Sequence, residues 1–260
     1  MNIRYADIRT ILLGIAGLLL NMQAAPAIAG LVETIERVKP STVVVGTYKK
    51  TGSPQFLMRG TGFVIGDGNF VATNAHVILD IPDTDAELVV LIGTGSELGE
   101  SRLRRAKLVA SSTQHDLAVV RIDGAPLPAL KLANSDSARE GQSVAFTGFP
   151  IGGALGFSPV THRGTISSIT PIALPAGNAQ QINPKLIRQL KSGAFNIFQL
   201  DATAYPGNSG SPVFDVDSGE VIGVINMVFI KGSKEAALSQ PSGISYAIPS
   251  VYLKNLLTQR

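Results

Sequence analysis

Three short segments of this chain carry the residue types that acyl transfer needs. Residues 72–77 (ATNAHV) hold a histidine, residues 115–120 (HDLAVV) hold an aspartate before an apolar run, and residues 206–213 (PGNSGSPV) hold a serine in a glycine-rich turn. Each of these signals taken alone is typical of an ordinary turn or strand end. Their combination in the order His, Asp, Ser is what indicates a chemical site.

The chemistry requires each of these residue types. A serine hydroxyl is a weak nucleophile until a base takes its proton, and a neutral histidine can do this near pH 7. The second ring nitrogen must be held by a buried acceptor, usually a carboxylate, which fixes the tautomer. The oxyanion that develops needs backbone N–H donors, and a turn flanked by glycines lets two of them converge on one point.

The other two histidines are expected at the surface. His115 adjoins Asp116 but would point to the opposite side of an extended chain, and His162 lies in an alternating stretch. No pair of histidines has metal-ligand spacing with a nearby carboxylate, apart from the neighbours His115 and Asp116. The absence of cysteine excludes disulfides, thiolate nucleophiles and iron–sulfur sites. We therefore expect neither a metal nor a cofactor.

The elements that must position these residues are short strands separated by Gly, Pro, Asp and Asn. This rhythm predicts an all-β sandwich or barrel rather than βαβ units. The 27 glycines and 15 prolines are spread along the chain, as many turns require. The predicted strands are residues 42–47, 62–65, 70–73, 88–92, 106–110, 117–122, 143–147, 160–169, 195–200, 212–214, 221–228 and 244–247.

Three segments have a helical rhythm instead. Residues 31–38 (LVETIERV) predict a short helix that stops at Lys39-Pro40, and residues 184–191 predict a helical turn or two within a long loop. Ser250 is expected to cap a last helix over residues 251–257. Residues 124–141 read as the connection between two halves, which we place at 30–130 and 131–260.

Composition and charge narrow the function classes. Hydrophobic residues make up 45% of the chain and charged residues 16%, so the chain can pack a core. The net charge is only +3, without a run of five or more basic residues. The densest basic cluster, Arg102, Arg104 and Arg105, reads as a solvated strand face. Nucleic acid is therefore not an expected partner.

The first 29 residues resemble an export signal. Arg4 and Arg9 precede an apolar stretch at residues 11–20, and residues 27–29 (AIA) give the small-x-small pattern of a cleavage site before Gly30. An uncleaved membrane anchor is the alternative, but the run is short for a span of about 20 residues. A cysteine-free exported protein fits the periplasm best, with release to the medium as the alternative.

The three segments resemble the catalytic blocks of the trypsin-like serine peptidases, and most closely those of the bacterial HtrA/Deg branch. The likeness covers about residues 36–250, and it includes residues 60–65 (GTGFVI), 148–150, 200–202, 221–224 and 243–249. It implies two antiparallel β-barrels of the chymotrypsin type, short terminal helices and a site in the cleft between the barrels. It also implies an exported endopeptidase, with protein quality control as one role.

The resemblance also implies roles for single residues. His76 would be the general base, Asp116 its orienting carboxylate and Ser209 the nucleophile, while the N–H groups of Gly207 and Ser209 would form the oxyanion hole. The pocket for the residue before the cut would be lined by uncharged residues, which predicts a preference for small or medium apolar residues. These candidates are Thr203, Ala204, Asn226 and Val228.

Three departures from the family pattern bear on these expectations. Ser211 stands where most relatives have glycine, and a serine would be strained there if the backbone φ were positive. Asn208 replaces the aspartate that pairs with a newly cut N-terminus in digestive enzymes, so we expect no activation of that kind. We expect no PDZ domain of the kind usual in HtrA proteins, and therefore no peptide-regulated assembly of the usual kind.

The expected partners are protein or peptide substrates, with a homo-oligomer as an open alternative and no stable membrane insertion after signal cleavage. An α/β-hydrolase is disfavoured, since it needs the chain order Ser, Asp, His, and the last histidine, His162, precedes Ser209. Two alternatives stay open. One is a catalytically silent binding protein on a protease scaffold, and the other is an enzyme that rests inactive until a partner orders the loops around Ser209.

Overall fold

A computed structural model of the chain describes residues 30–79, 85–93, 102–153, 156–172, 195–226 and 243–259. Its twelve strands form two closed barrels, β1–β6 and β7–β12. Every strand pairs with its neighbours in antiparallel fashion. The predicted fold class is confirmed. The predicted leader at 1–29, the helical turn at 184–191 and Val228 lie outside the described residues.

The first barrel closes in the order β1-β2-β3-β6-β5-β4. Its interior is filled by aliphatic side chains from every strand, Val and Ile above all. In the densest basic cluster, Arg105 pairs with Glu87 at 2.9 Å and Arg104 binds the Ala125 carbonyl. The strands are β1 (Thr42–Tyr48), β2 (Phe56–Ile65), β3 (Phe70–Thr73), β4 (Glu87–Leu91), β5 (Leu103–Ser112) and β6 (Leu117–Ile122).

The second barrel closes in the order β10-β11-β12-β9-β8-β7. It begins after a connection at residues 123–142. The domain boundary that we placed after residue 130 falls within this connection. Most strands are longer than the sequence predicted, but β11 stops at Ile225, earlier than expected. The strands are β7 (Ser143–Gly148), β8 (Val160–Pro171), β9 (Asn196–Asp201), β10 (Pro212–Asp215), β11 (Val221–Ile225) and β12 (Ile244–Pro249).

Three α-helices accompany the barrels within the described residues. The N-terminal helix Leu31–Val38 has the predicted bounds, and the C-terminal helix spans Ser250–Thr258. The expected cap at Ser250 is wrong, because this residue already belongs to the helix and its hydroxyl donates to the Ala133 carbonyl at 2.9 Å. The sequence analysis also missed a short helix, Ala75–Leu79, directly after β3.

The two barrels share one buried face. A continuous cluster joins Phe63 and Leu117 of the first barrel to Phe214 and Val224 of the second. Both terminal helices contribute to it, through Val38 at one end and the residues Leu253 and Leu256 at the other. Because this continuous apolar contact fixes the position of one barrel relative to the other, residues from both barrels can form a single site.

Candidate active site

His76 and Asp116 are brought together by strand pairing. Thr73, at the end of β3, pairs with Ala118 near the start of β6. The residues just beyond these strand ends are therefore neighbours: His76 on the short helix and Asp116 in the turn between β5 and β6. His76 Nδ1 lies 2.6 Å from Asp116 Oδ2, and the His76 backbone N–H donates to Asp116 Oδ1 at 2.8 Å.

The Asp116 carboxylate is buried and receives a third donor from the other barrel. Its side chain is 7% exposed. Asn226, which follows β11, donates its Nδ2–H to Asp116 Oδ2 at 2.8 Å. Asn226 is fully buried. Its side chain therefore lies beside Asp116, and its expected place in the substrate pocket stays a prediction. A buried carboxylate with three donors is held in one orientation.

The backbone of Asp116 has a left-handed conformation, with φ of +50°. This conformation costs about 1–2 kcal/mol for an L-residue, and Asp is among the residues that tolerate it best. Its carbonyl is held by two donors, Ala75 N–H at 3.1 Å and Asn74 Nδ2–H at 3.0 Å. Residues 74–76 thus hold both the backbone carbonyl and the carboxylate of Asp116.

Ser209 lies in a tight turn that leads into β10. Asn208 N–H donates to the Tyr205 carbonyl at 2.9 Å, and Ser211 N–H donates to the Asn208 carbonyl at 3.0 Å. The turn has positive φ at its two glycines, +103° at Gly207 and +88° at Gly210. Ser211 does not have a positive φ. The strain that the sequence suggested for Ser211 is therefore absent, because Gly210 takes the left-handed position.

Thr61 on β2 ties this turn to the first barrel. Its N–H donates to the Ser209 carbonyl at 2.8 Å, and its hydroxyl donates to the Gly207 carbonyl at 2.8 Å. The preceding residue, Gly60, leaves no room for a side chain. A Cβ there would lie 2.9 Å from the Ser209 carbonyl oxygen and 2.8 Å from Val77, the neighbour of His76. The serine turn and the histidine helix therefore flank the same point of β2.

The structure brings His76 and Asp116 into direct contact and places the Ser209 turn at Gly60 and Thr61 of β2, beside Val77 of the helix that carries His76. Within the described part of the chain, no hydrogen bond joins Ser209 Oγ to His76. Catalytic hydrogen bonds often tighten only when substrate is bound. The His76 side chain is 20% exposed and Ser209 is 6% exposed, so both residues are largely covered by protein.

Two backbone N–H groups of the turn are left without an acceptor. Gly210 N–H donates to the Ile225 carbonyl, whereas those of Gly207 and Ser209 have no acceptor among the described residues. The Pro206 carbonyl accepts from Ile151 N–H at 2.6 Å. Because a trans peptide points its C=O and N–H in opposite directions, this bond turns Gly207 N–H away from Ile151. Ile151 itself is strained, with φ of +60°.

Two of the four predicted pocket residues lie on the segment that precedes this turn. Ala204 is buried in the core of the second barrel, and Thr203 beside it is half-buried. His162 lies nearby and is not the surface residue that the sequence suggested. Its ring stacks on Phe146 at 4.9 Å and lies 6.2 Å from the Tyr205 ring. This burial lowers the pKa of His162, which favours the neutral ring.

His115 is half-buried, whereas an extended chain at this point would have exposed it. The turn before Asp116 directs its ring onto Tyr252 of the C-terminal helix, with ring centroids 4.3 Å apart. Burial lowers the pKa of His115 as well. The prediction failed because it assumed a strand at this point, whereas β6 begins only at Leu117.

Asn208 is fully buried, and neither its amide nitrogen nor its amide oxygen has a partner in the described part of the chain. An uncharged side chain here cannot form an ion pair with a terminal amine. Among the described residues, no cluster of three or more His, Asp or Glu could hold a metal ion. No helix of the described chain has the length and apolar character needed to cross a membrane.

The sequence analysis missed the roles of Asn226 and Thr61. One signal was available for Asn226, a single polar residue directly after the apolar run of residues 221–225. A polar residue in that position is usually hydrogen-bonded when buried. Nothing in the sequence identifies Thr61 as the residue that binds the serine turn, since both of its contacts are to backbone carbonyls distant along the chain.

Comparison with known proteins adds the family context. The sequence profile described as "Trypsin-like peptidase domain" matches residues 60–224, more than half of the chain. A "Probable periplasmic serine endoprotease DegP-like" of Halomonas elongata is 33% identical over 190 residues, which is 73% of this chain and 32% of that protein. "Serine protease HTRA2, mitochondrial" of Drosophila pseudoobscura pseudoobscura is 31% identical over 207 residues, 80% of this chain and 40% of that protein.

Solved structures give the same fold. The HtrA-type protease AlgW with a tripeptide has a TM-score of 0.61 at 24% identity, covering 88% of this chain and 63% of that one. A serine endoprotease from Yersinia pestis has the same score and identity, covering 89% and 66%. The chain spans about a third of the length of the DegP-like relatives that it matches.

Proposed function

Because the chain belongs to the trypsin-like peptidase family, we propose that it is a serine endopeptidase with His76, Asp116 and Ser209 as its catalytic triad. The observation that carries this proposal is the 2.6 Å contact between His76 Nδ1 and the buried Asp116 carboxylate. The serine turn is bound nearby, by Thr61 of β2. A histidine held in this way presents Nε2 as the free base.

In the proposed reaction, Ser209 Oγ attacks the carbonyl carbon of the peptide bond while His76 Nε2 takes the hydroxyl proton. Asp116 stabilises the imidazolium that forms. The N–H groups of Gly207 and Ser209, which lack acceptors in the described structure, would donate to the tetrahedral oxyanion. His76 then gives its proton to the departing amine, which leaves an acyl-enzyme ester on Ser209. Water, deprotonated by His76, hydrolyses this ester and restores the hydroxyl.

A fluorophosphonate probe tests the triad without knowledge of the substrate. We expect covalent labelling at Ser209, located by peptide mass spectrometry, because an activated hydroxyl displaces the fluoride. The Ser209→Ala variant should take no label, and His76→Ala should label at least 100-fold more slowly, about the contribution of a general base.

The matched control for this experiment is Ser211→Ala, which removes a neighbouring buried hydroxyl that has no hydrogen-bond partner among the described residues. We expect this variant to label like the wild type. Labelling of a serine other than Ser209, or an unreactive wild-type protein that is fully folded, would contradict the proposed triad. The latter result would point to the silent binding protein instead.

We also propose that the substrate pocket prefers a small or medium apolar residue before the cut. This preference is supported by the segment before the serine turn, where the candidates Thr203 and Ala204 carry no charge and Ala204 belongs to the apolar core. A peptide library profiled by mass spectrometry should give cleavage after Ala, Val, Ile or Leu, at least tenfold above Lys or Arg, since an uncharged pocket does not compensate a buried cation. Cleavage mainly after Lys or Arg would refute it.

The location and assembly of the protein are further proposals. The signal-like sequence at 1–29 and the printed names of the DegP-like relatives support export to the periplasm. The intact mass of protein recovered from a periplasmic extract should correspond to a chain that begins at Gly30, and recovery of the full-length chain in the membrane fraction would oppose this. Light scattering would decide whether the exported protein forms a homo-oligomer.

A further inference from the structure

The turn that carries Asp116 is joined to the C-terminal helix by three aromatic rings. The His115 ring stacks on the Tyr252 ring, with centroids 4.3 Å apart and planes 14° apart. Phe195, the residue before β9, meets His115 edge-on at 4.8 Å and Tyr252 edge-on at 5.3 Å. The cluster therefore connects a turn of the first barrel with two elements of the second half of the chain.

Hydrogen bonds fix the orientation of the His115 ring. The His115 backbone N–H donates to Ser112 Oγ at 3.2 Å, and the same oxygen lies 3.0 Å from His115 Nδ1. A hydroxyl that already accepts one N–H can still donate its own hydrogen, so Ser112 can donate to Nδ1 of the neutral ring. The lowered pKa of His115 agrees with this neutral form. The His115 ring is thus held by its stack on Tyr252, by its edge-on contact with Phe195 and by one hydrogen bond with Ser112.

The backbone of Asp116 depends on what holds its neighbour. Asp116 keeps a left-handed conformation, which persists only where the surroundings impose it. On one side its carbonyl is held by Asn74 and Ala75. On the other side, the preceding residue, His115, is held by the contacts that its ring makes with Tyr252 and Phe195. A shift of this turn would move the carboxylate away from both His76 and Asn226, which it binds at 2.6 Å and 2.8 Å.

We propose that the stack of His115 on Tyr252 is a positioning element for Asp116, so that the C-terminal helix contributes to catalysis without touching the substrate. The inference rests on the proposed function. His115 acts here through the backbone of Asp116, and Tyr252 acts through the ring of His115.

The rest of the helix is anchored independently of this stack, which allows a clean test. Leu253 and Leu256 are buried in the shared core of the barrels. The Ser250 hydroxyl donates to the Ala133 carbonyl, and Val251 N–H donates to Ser135 Oγ at 2.9 Å. Loss of the Tyr252 ring therefore removes the contact with His115 but leaves the helix attached.

The test compares variants that remove the stack with variants that keep an aromatic ring. His115→Ala and Tyr252→Leu should lower kcat by about tenfold or more with KM unchanged, because a small displacement of a catalytic group is costly. His115→Phe and Tyr252→Phe should stay within about twofold of wild type, because the stack is kept. The first variant loses the hydrogen bond between Ser112 and Nδ1, and the second loses the hydrogen bond from Asn196 N–H. The matched control is Asn255→Ala, an exposed position on the same helix.

A second measurement does not depend on activity. The proton between His76 Nδ1 and Asp116 should give a strongly downfield 1H NMR signal in the wild type, which should be lost or broadened in His115→Ala and Tyr252→Leu and kept in His115→Phe. The proposal would be overturned if His115→Ala and Tyr252→Leu both kept the kcat and the downfield NMR signal of the wild type. If the folded wild type shows the signal but takes no fluorophosphonate label, the proposed function fails, and the signal alone then decides on the positioning role.

Discussion

Replacing Asp116 by asparagine is expected to lower kcat by about 10⁴-fold while the protein stays folded. The carboxylate accepts from three donors, which are the ring and the backbone of His76 and the amide of Asn226. An asparagine side chain offers only one oxygen, so its NH2 group must face a donor or force His76 into the other tautomer. In that tautomer Nε2 carries the proton and cannot take one from Ser209.

The measurement is kcat for a cleaved peptide, with circular dichroism and thermal unfolding to confirm the fold. Asp215→Asn is the matched control, because Asp215 is the last residue of β10, where its carboxylate accepts from Ser218 and Gln142. We expect this control to retain full activity. A kcat for Asp116→Asn within tenfold of wild type would show that Asp116 does not orient the base.

Replacing Gly210 by alanine is expected to be the most damaging small substitution for stability. The φ of Gly210 is +88°, and an added Cβ would collide with the Thr61 carbonyl oxygen and the Thr73 hydroxyl. Left-handed strain of about 1–2 kcal/mol and overpacking of about 1–3 kcal/mol give a loss of about 3 kcal/mol. For a chain of this size, such a loss lowers Tm by about 10 °C.

Gly243→Ala separates these two causes. Gly243 has φ of +69°, but an added Cβ would meet none of the described residues within 4 Å. Its Tm should therefore fall by only about 3 °C, from backbone strain alone. Differential scanning calorimetry of both variants checks this difference. Equal shifts in the two proteins would mean that the contact between the serine turn and β2 does not restrict space at Gly210.

The barrel strands were predictable because their signals are local. Apolar runs between glycines and prolines gave all twelve strands in the correct order, for instance β3 and β6 with their observed bounds. The short helix Ala75–Leu79 was missed because its five residues are too few to show a helical period. The error at Ser250 has another cause, since its hydroxyl has a tertiary partner in Ala133 that local sequence does not encode.

The candidate site was predictable only in part. The motifs identify His76, Asp116 and Ser209 by residue type, and the pairing of β3 with β6 explains why the first two meet. The contacts of the residues that hold these three in place could not be predicted, because they depend on tertiary structure. Asn226 lies 110 positions from Asp116 along the chain, so its hydrogen bond depends on how the two barrels dock. The conformation of His115 likewise depends on a ring from the C-terminal helix.

The division of the site between the barrels has a consequence for how the protein is made. His76 and Asp116 belong to the first barrel, whereas Ser209 and Asn226 belong to the second. A ribosome translates the whole first barrel before it reaches Ser209, so a half-made chain holds the proposed base without the proposed nucleophile. The bond from Thr61 to the Ser209 carbonyl likewise joins the first barrel to a segment that is translated much later. The proposed triad is therefore complete only in a chain translated through both barrels.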